Sequence, residues 1–206
     1  MNGRIFKVLM FIAWIAFSLP APGCRKDCKL IREDLLTEQQ KKQIPFKGRE
    51  VITFSSGQNE IELIGTDRID TLEKRYPSGF SCDYYIEENN FLTFEDVNYQ
   101  LHLRMTDQDE FYISILDFVQ NLKMYASMRT AQSTGELSEY EELIDSLTVN
   151  NSLYLNIYKD TVDLSYQFKT HNSMTYATYI YYSTEYGVVK IDFSDSTSWE
   201  LENIEW

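Results

Sequence analysis

Two hydrophobic patterns divide the chain. The first is a single apolar run, Val8 to Leu19, broken only by Ser18 and preceded by Arg4 and Lys7. A cleavable export signal has a positive start, an apolar core of about 7–15 residues and small residues after it. A membrane-spanning helix needs about 20 apolar residues. The run is too short to span, and Ala21, Pro22 and Gly23 then lead into Cys24. Residues 1–23 are therefore expected to be a signal peptide. From residue 25 to 43 the chain is polar, with a partial apolar stripe at Leu30, Ile31, Leu35 and Leu36. Thr37-Glu38-Gln39-Gln40 fits a capping box, and Pro45 stops any helix that follows. This stretch is expected to be a tether carrying a short helix.

From Lys47 the period becomes two. Ile52 and Phe54 alternate with Val51 and Thr53, Ser56 to Asn59 is a turn cluster, and Glu60 to Leu63 alternates again, which predicts a hairpin. Residues 66–81 carry no clean period, and Pro77-Ser78-Gly79 marks a loop. Tyr84 to Ile86 and Phe91 to Phe94 read as strands around a Glu87-Glu88-Asn89-Asn90 turn. The cleanest strand puts Tyr99, Leu101, Leu103 and Met105 on one face and Gln100, His102 and Arg104 on the other. It turns through Asp107-Gln108-Asp109 into Phe111 to Leu116, and Lys123 to Met128 reads as a further short strand. Residues 129–139 read as a long polar loop. Leu143 to Val149 and Leu153 to Tyr158 flank Asn150-Asn151, a dipeptide suited to the positive φ of a tight hairpin turn. Val189, Ile191 and Phe193 alternate with Val188, Lys190 and Asp192, and Trp199 and Leu201 with Glu200 and Glu202. Strands joined by short turns imply an antiparallel meander. The expected fold is mainly β: a single curved antiparallel sheet or half-barrel with a short helix, with a β-sandwich as the alternative. The expected organisation is a signal at 1–23, a tether at 24–43 and one β-rich domain at 44–206.

Charge and cysteines narrow the setting. The net charge is −13, and loss of residues 1–23 removes two cations and no acid, which leaves about −15. Such acidity repels phosphate backbones and anionic head groups, so nucleic acid is excluded as a partner. Any membrane attachment must come from acyl chains. Gly23-Cys24 resembles the end of a bacterial lipobox, although Ala21 and Pro22 depart from its usual residues. The expectation is lipidation of Cys24; ordinary signal cleavage near Gly23 is the alternative. Arg25-Lys26-Asp27 partly resembles a surface-sorting signal of Gram-negative lipoproteins, and a solvated tether explains it equally. Cys28 and Cys82 remain, and in an oxidising envelope they are candidates for a disulfide.

Three segments resemble a known group. TEQQKKQIPFKGREVITFSSGQNEIEL, LIDSLTVNNSLYLNIY and YIYYSTEYGVVKIDFSDSTSWEL are similar to a family of uncharacterised envelope lipoproteins of Gram-negative bacteria. The resemblance covers about a third of the chain and leaves residues 66–140 outside it. It implies a β-rich protein on the outer membrane, on the periplasmic side or at the cell surface. It brings no activity, cofactor or catalytic residue.

The residues themselves show no catalytic signature. The two histidines, His102 and His171, sit in polar surroundings, and neither G-x-S-x-G nor H-E-x-x-H occurs. Asp107-Gln108-Asp109-Glu110 lacks the glycine and the distant glutamate of a calcium loop and reads as a solvated turn. No cofactor motif and no metal-ligand spacing is present. The 15 tyrosines are more telling, because Tyr176 and Tyr182 share one face of a strand while Tyr179 and Tyr181 share the other. These four are candidate binding aromatics, set against the commoner role of strand tyrosines as core or cross-strand pairs. The expected function is a lipid-anchored, non-catalytic module binding an unidentified protein or small ligand. A carboxylate-dependent hydrolase acting on glycans and a structural component of an envelope complex are the alternatives.

Overall fold

A computed structural model describes residues 27–77, 82–106, 108–131, 133–164 and 174–206. The expected signal, Cys24 and His171 lie outside the described residues. The elements in chain order are β1 (Leu30–Asp34), α1 (Glu38–Lys41), β2 (Val51–Ser56), β3 (Asn59–Gly65), β4 (Ile69–Arg75) and β5 (Tyr84–Glu95). They continue with β6 (Tyr99–Thr106), β7 (Glu110–Asp117), β8 (Leu122–Thr130), β9 (Leu137–Glu139) and β10 (Glu142–Val149). The last are β11 (Ser152–Thr161), β12 (Asp163–Leu164), β13 (Ala177–Ser183), β14 (Gly187–Phe193) and β15 (Ser198–Glu205).

All the strands join one sheet, in the order β10-β11-β13-β14-β15-β2-β3-β5-β6-β7-β8-β12, with β1, β4 and β9 attached to the side. Every pairing is antiparallel except that of β1 with β5. β12 follows β11 directly in the chain, yet it pairs with β8 at the opposite end of the order. The sheet must therefore curl, although it does not close into a barrel. The curved single sheet is the expected fold class, and the sandwich alternative is not formed.

The inner face is filled. Phe54, Leu92, Phe94, Leu103, Met105, Phe111, Ile113, Met128, Ile180, Tyr182 and Ile191 are all fully buried. Period-two alternation sends these residues inward and their polar neighbours outward. Around α1, four side chains hold an irregular segment against this core. Thr37 and Gln40 make the reciprocal capping box. Arg68 donates to the carbonyl oxygens of Lys41, Ile44 and Phe46 at 2.9, 3.0 and 3.1 Å. Tyr182 donates its hydroxyl to the carbonyl of Gln43. Phe46 then packs edge-on against Phe94, with ring centroids 4.8 Å apart.

Four expectations need correction. Glu87 to Asn90 is no turn: β5 runs unbroken through all four, and all four are buried. Each finds a partner: Glu87 pairs with Arg75, Glu88 with Lys41, Asn89 accepts from Arg104, and Asn90 donates to Asp70. These partners come from distant parts of the chain, so a local reading sees only polarity. The mixed stretch 66–81 contains β4, which lies along β5 from Ile69–Phe91 to Arg75–Tyr85. Residues 129–139 are not one loop, since Arg129 and Thr130 end β8 and β9 folds back onto them with Leu137 buried. The tether also begins earlier as structure than expected, because β1 is a strand.

Candidate functional site

The side chains of β6, β7 and β8 that point away from the core are polar except Leu116, and cross-strand register lines them up. Thr93, His102, Ser114 and Tyr125 form one row across β5 to β8. Phe91, Arg104, Tyr112 and Ser127 form the next. With β4 and the first half of β5 along one side, this outer face is a groove of about 710 Å³. Its lining includes Arg75, Tyr85, His102, Arg104, Lys123 and Tyr125. A smaller hollow of about 330 Å³ continues it and shares Arg75, His102 and Arg104.

The charges in the groove are unevenly matched. Arg75 binds Glu87 at 3.0 Å and Glu73 at 2.7 Å. Glu110 accepts a hydrogen bond from the Tyr112 hydroxyl. Burial, helped by that carboxylate, pushes the phenol up to about 12. Among the described residues Arg104 has no carboxylate within ion-pair distance and instead donates to the neutral Asn89 amide oxygen at 2.8 Å. Every other arginine among the described residues, namely Arg32, Arg49, Arg68, Arg75 and Arg129, has an acid within 4.0 Å. Lys123 likewise lines the groove with no ion pair among the described residues. Burial lowers the His102 pKa, and the charges of Arg104 and Lys123 lower it further. Both effects favour the neutral imidazole, whose Nδ1 lies 2.9 Å from the Thr93 hydroxyl oxygen.

Ser114 stands beside His102 in register, with no hydrogen bond between them. Among the described residues no group of three His, Cys, Asp or Glu side chains can hold a metal ion.

The four candidate tyrosines lie on β13 or just before it, away from the groove. Tyr182 is fully buried against Phe111, with ring centroids 4.8 Å apart, and no ligand can reach it. Tyr181 donates to Asp192 at 2.8 Å, and Tyr179 lies under the Lys159 ammonium, 4.3 Å from its ring centroid. Tyr176 alone of the four is exposed. Cys28 is exposed and Cys82 half-buried, beside the starts of β1 and β5. Sequence reasoning placed Gln100, His102 and Arg104 on one polar face but missed the groove. The same alternation continued through Tyr112 and Ser114, and through Lys123 and Tyr125, would have put these residues on a shared face.

No family model matches the chain, and no curated protein or solved structure is significantly similar to it.

Proposed function

We propose that this chain is an exported, lipid-anchored protein of the Gram-negative outer membrane that binds a ligand in the outer groove of β4 to β8, without catalysis. The export signal and Cys24 support the anchor. The observation that carries the binding reading is where space remains. The inner concavity is packed with fully buried side chains, whereas the outer face keeps a polar groove of about 710 Å³. Pockets of about 300–1,000 Å³ with a few convergent polar groups are the usual size of ligand sites. A hydrolase reading would draw on Glu87 and Glu110, the carboxylates of the lining. Glu87 is engaged by Arg75 and Asn89, and Glu110 by Tyr112, so both already serve as structural partners.

The test is co-purification of the tagged, lipidated protein from envelope membranes, followed by mass spectrometry of what it retains. Ser114→Trp fills the groove floor, and Lys123→Glu changes an exposed lining position without altering the core. Both variants are expected to keep the wild-type melting temperature within a few degrees and to lose the retained ligand. Retention by two folded variants would refute the groove as the site. Cys24→Ala is expected to move the protein from the membrane fraction to the soluble one, and unchanged fractionation would refute the anchor.

A further inference from the structure

Arg104 is the least explained side chain in the groove. A half-buried guanidinium normally sits against a carboxylate, as the other described arginines do here. In a chain of net charge −13 acids are abundant, and Glu87 and Glu110 line the same groove, yet among the described residues neither Arg104 nor Lys123 forms an ion pair. Both project from the same outer face, with His102 between their rows: Arg104 on β6 faces Tyr112, and Lys123 on β8 faces Leu116. The Thr106 and Ser114 side chains and the Tyr125 ring border the same space. We infer that the groove recognises an oxyanion, a carboxylate or a phosphate group on its ligand, with Arg104 as the principal contact and Lys123 as a second cation. This deepens the binding reading above and depends on it. Arg offers a planar fork of donors that matches either oxyanion in a bidentate manner. Asn89 occupies one edge of that fork at 2.8 Å and fixes its direction. The acidic body around the site would repel an anion elsewhere, so the groove is where an anionic ligand is tolerated.

The test uses the detergent-solubilised mature protein, followed by amide and imidazole NMR signals. Trigalacturonate supplies the carboxylate arm, pyrophosphate the phosphate arm and maltotriose the neutral arm. An oxyanion beside Arg104 is expected to move the amides of residues 102–106 and to raise the His102 pKa. Arg104→Gln is expected to weaken that binding about tenfold or more, since a charged hydrogen bond in a half-buried site is lost. Lys123→Gln is expected to weaken it less. The arm that binds more tightly identifies the source of the oxyanion. If maltotriose binds as well as trigalacturonate and Arg104→Gln has no effect, the oxyanion inference fails while the groove reading stands. If none of the three probes moves a groove amide, the oxyanion inference also fails, and the envelope co-purification decides the groove separately.

A separate observation carries a second inference. β1 runs parallel to β5 with Leu30 opposite Tyr84, the Lys29 amide donates to the Asp83 carboxylate at 3.1 Å, and the Tyr84 amide donates to the Lys29 carbonyl at 3.0 Å. Continued one step further back, this register would bring Cys28 level with Cys82. Neighbouring strands lie about 4.8 Å apart, inside the roughly 4.4–6.8 Å Cα span of a disulfide. The geometry points to a Cys28–Cys82 disulfide in the exported protein. Each thiol loses a proton, and two electrons pass to a disulfide-bearing oxidant of the envelope, whose own disulfide becomes a dithiol. The bridge would leave only residues 25–27 between Cys24 and the sheet. Alkylation of the unfolded mature protein before reduction, followed by digestion and mass spectrometry, tests it. The expected product is a linked pair of peptides containing Cys28 and Cys82 that separates on reduction. Alkylation of both residues without reductant would overturn the inference.

Discussion

Replacing Glu50 by Gln removes a charge that the fold uses as a local anchor. Its carboxylate is almost fully buried and accepts three backbone N–H bonds. Lys47 donates to Oε1 at 2.8 Å, while Gly48 and Arg49 donate to Oε2 at 2.7 and 2.9 Å. Burial alone would raise the pKa of this carboxyl. The amides of Lys47, Arg49, Glu50 and Gly48 together more than offset that and hold it below its usual value. A Gln side chain keeps one acceptor. If its oxygen faces Gly48 and Arg49, its NH₂ group meets the Lys47 donor and that bond is lost. The lost charged bond costs about 1.5 kcal/mol, and the two that survive weaken by about 0.5–1 kcal/mol each, a total near 3 kcal/mol. With a urea slope of about 2 kcal/mol/M, the midpoint should fall by roughly 1.5 M at neutral pH. The sign of the pH dependence follows from the lowered pKa. The carboxylate's contribution is complete above the unfolded-state pKa and disappears as pH falls through the lower folded-state value. The gap between wild type and Glu50→Gln should therefore narrow below about pH 4. Equal midpoints at pH 7, or a gap that stays constant down to pH 3, would show that Glu50 is not the anchor described.

Other outcomes follow from single contacts. Gly48 has φ of 103° and a Cβ there would lie 2.1 Å from the Arg68 backbone nitrogen, so Gly48→Ala should abolish soluble expression or cost more than about 4 kcal/mol by urea denaturation. Tyr182→Phe removes the hydroxyl bond to Gln43 and should cost about 1–2 kcal/mol with no change in ligand retention. Asp160 has its pKa raised to about 6 by burial, with Glu141 and Asp163 adding to it and the Thr161 amide opposing. Keeping it ionised is therefore a cost above that pH, and Asp160→Asn should gain about 1 kcal/mol at pH 8, after allowance for solvent screening, and little at pH 4.

Legibility in the sequence tracked how local each cause was. The β6–β7 hairpin and the Thr37 capping box could be read directly, because period-two alternation and a four-residue cap are properties of neighbouring residues. The Glu87 to Asn90 segment could not, since its burial depends on Arg75, Lys41, Arg104 and Asp70. Leu30 and Ile31 fitted a partial helical stripe as well as a strand, and only pairing with β5 selects the strand. Tyr182 looked like a member of an aromatic surface row, but the α1 segment lies over it and takes its hydroxyl. The groove was half legible: each strand's polar face was visible, whereas the curvature that brings Arg75 and Tyr85 beside Arg104 belongs to the whole sheet.

Photo-crosslinking in intact cells tests the binding site most directly. A photoreactive phenylalanine at position 125 lies in the groove, and the same residue at the exposed position 155 on β11 lies outside its lining. Position 125 should capture a defined adduct that Arg104→Gln diminishes, while position 155 should capture none. An adduct at 155 with none at 125 would place the ligand elsewhere and contradict the account.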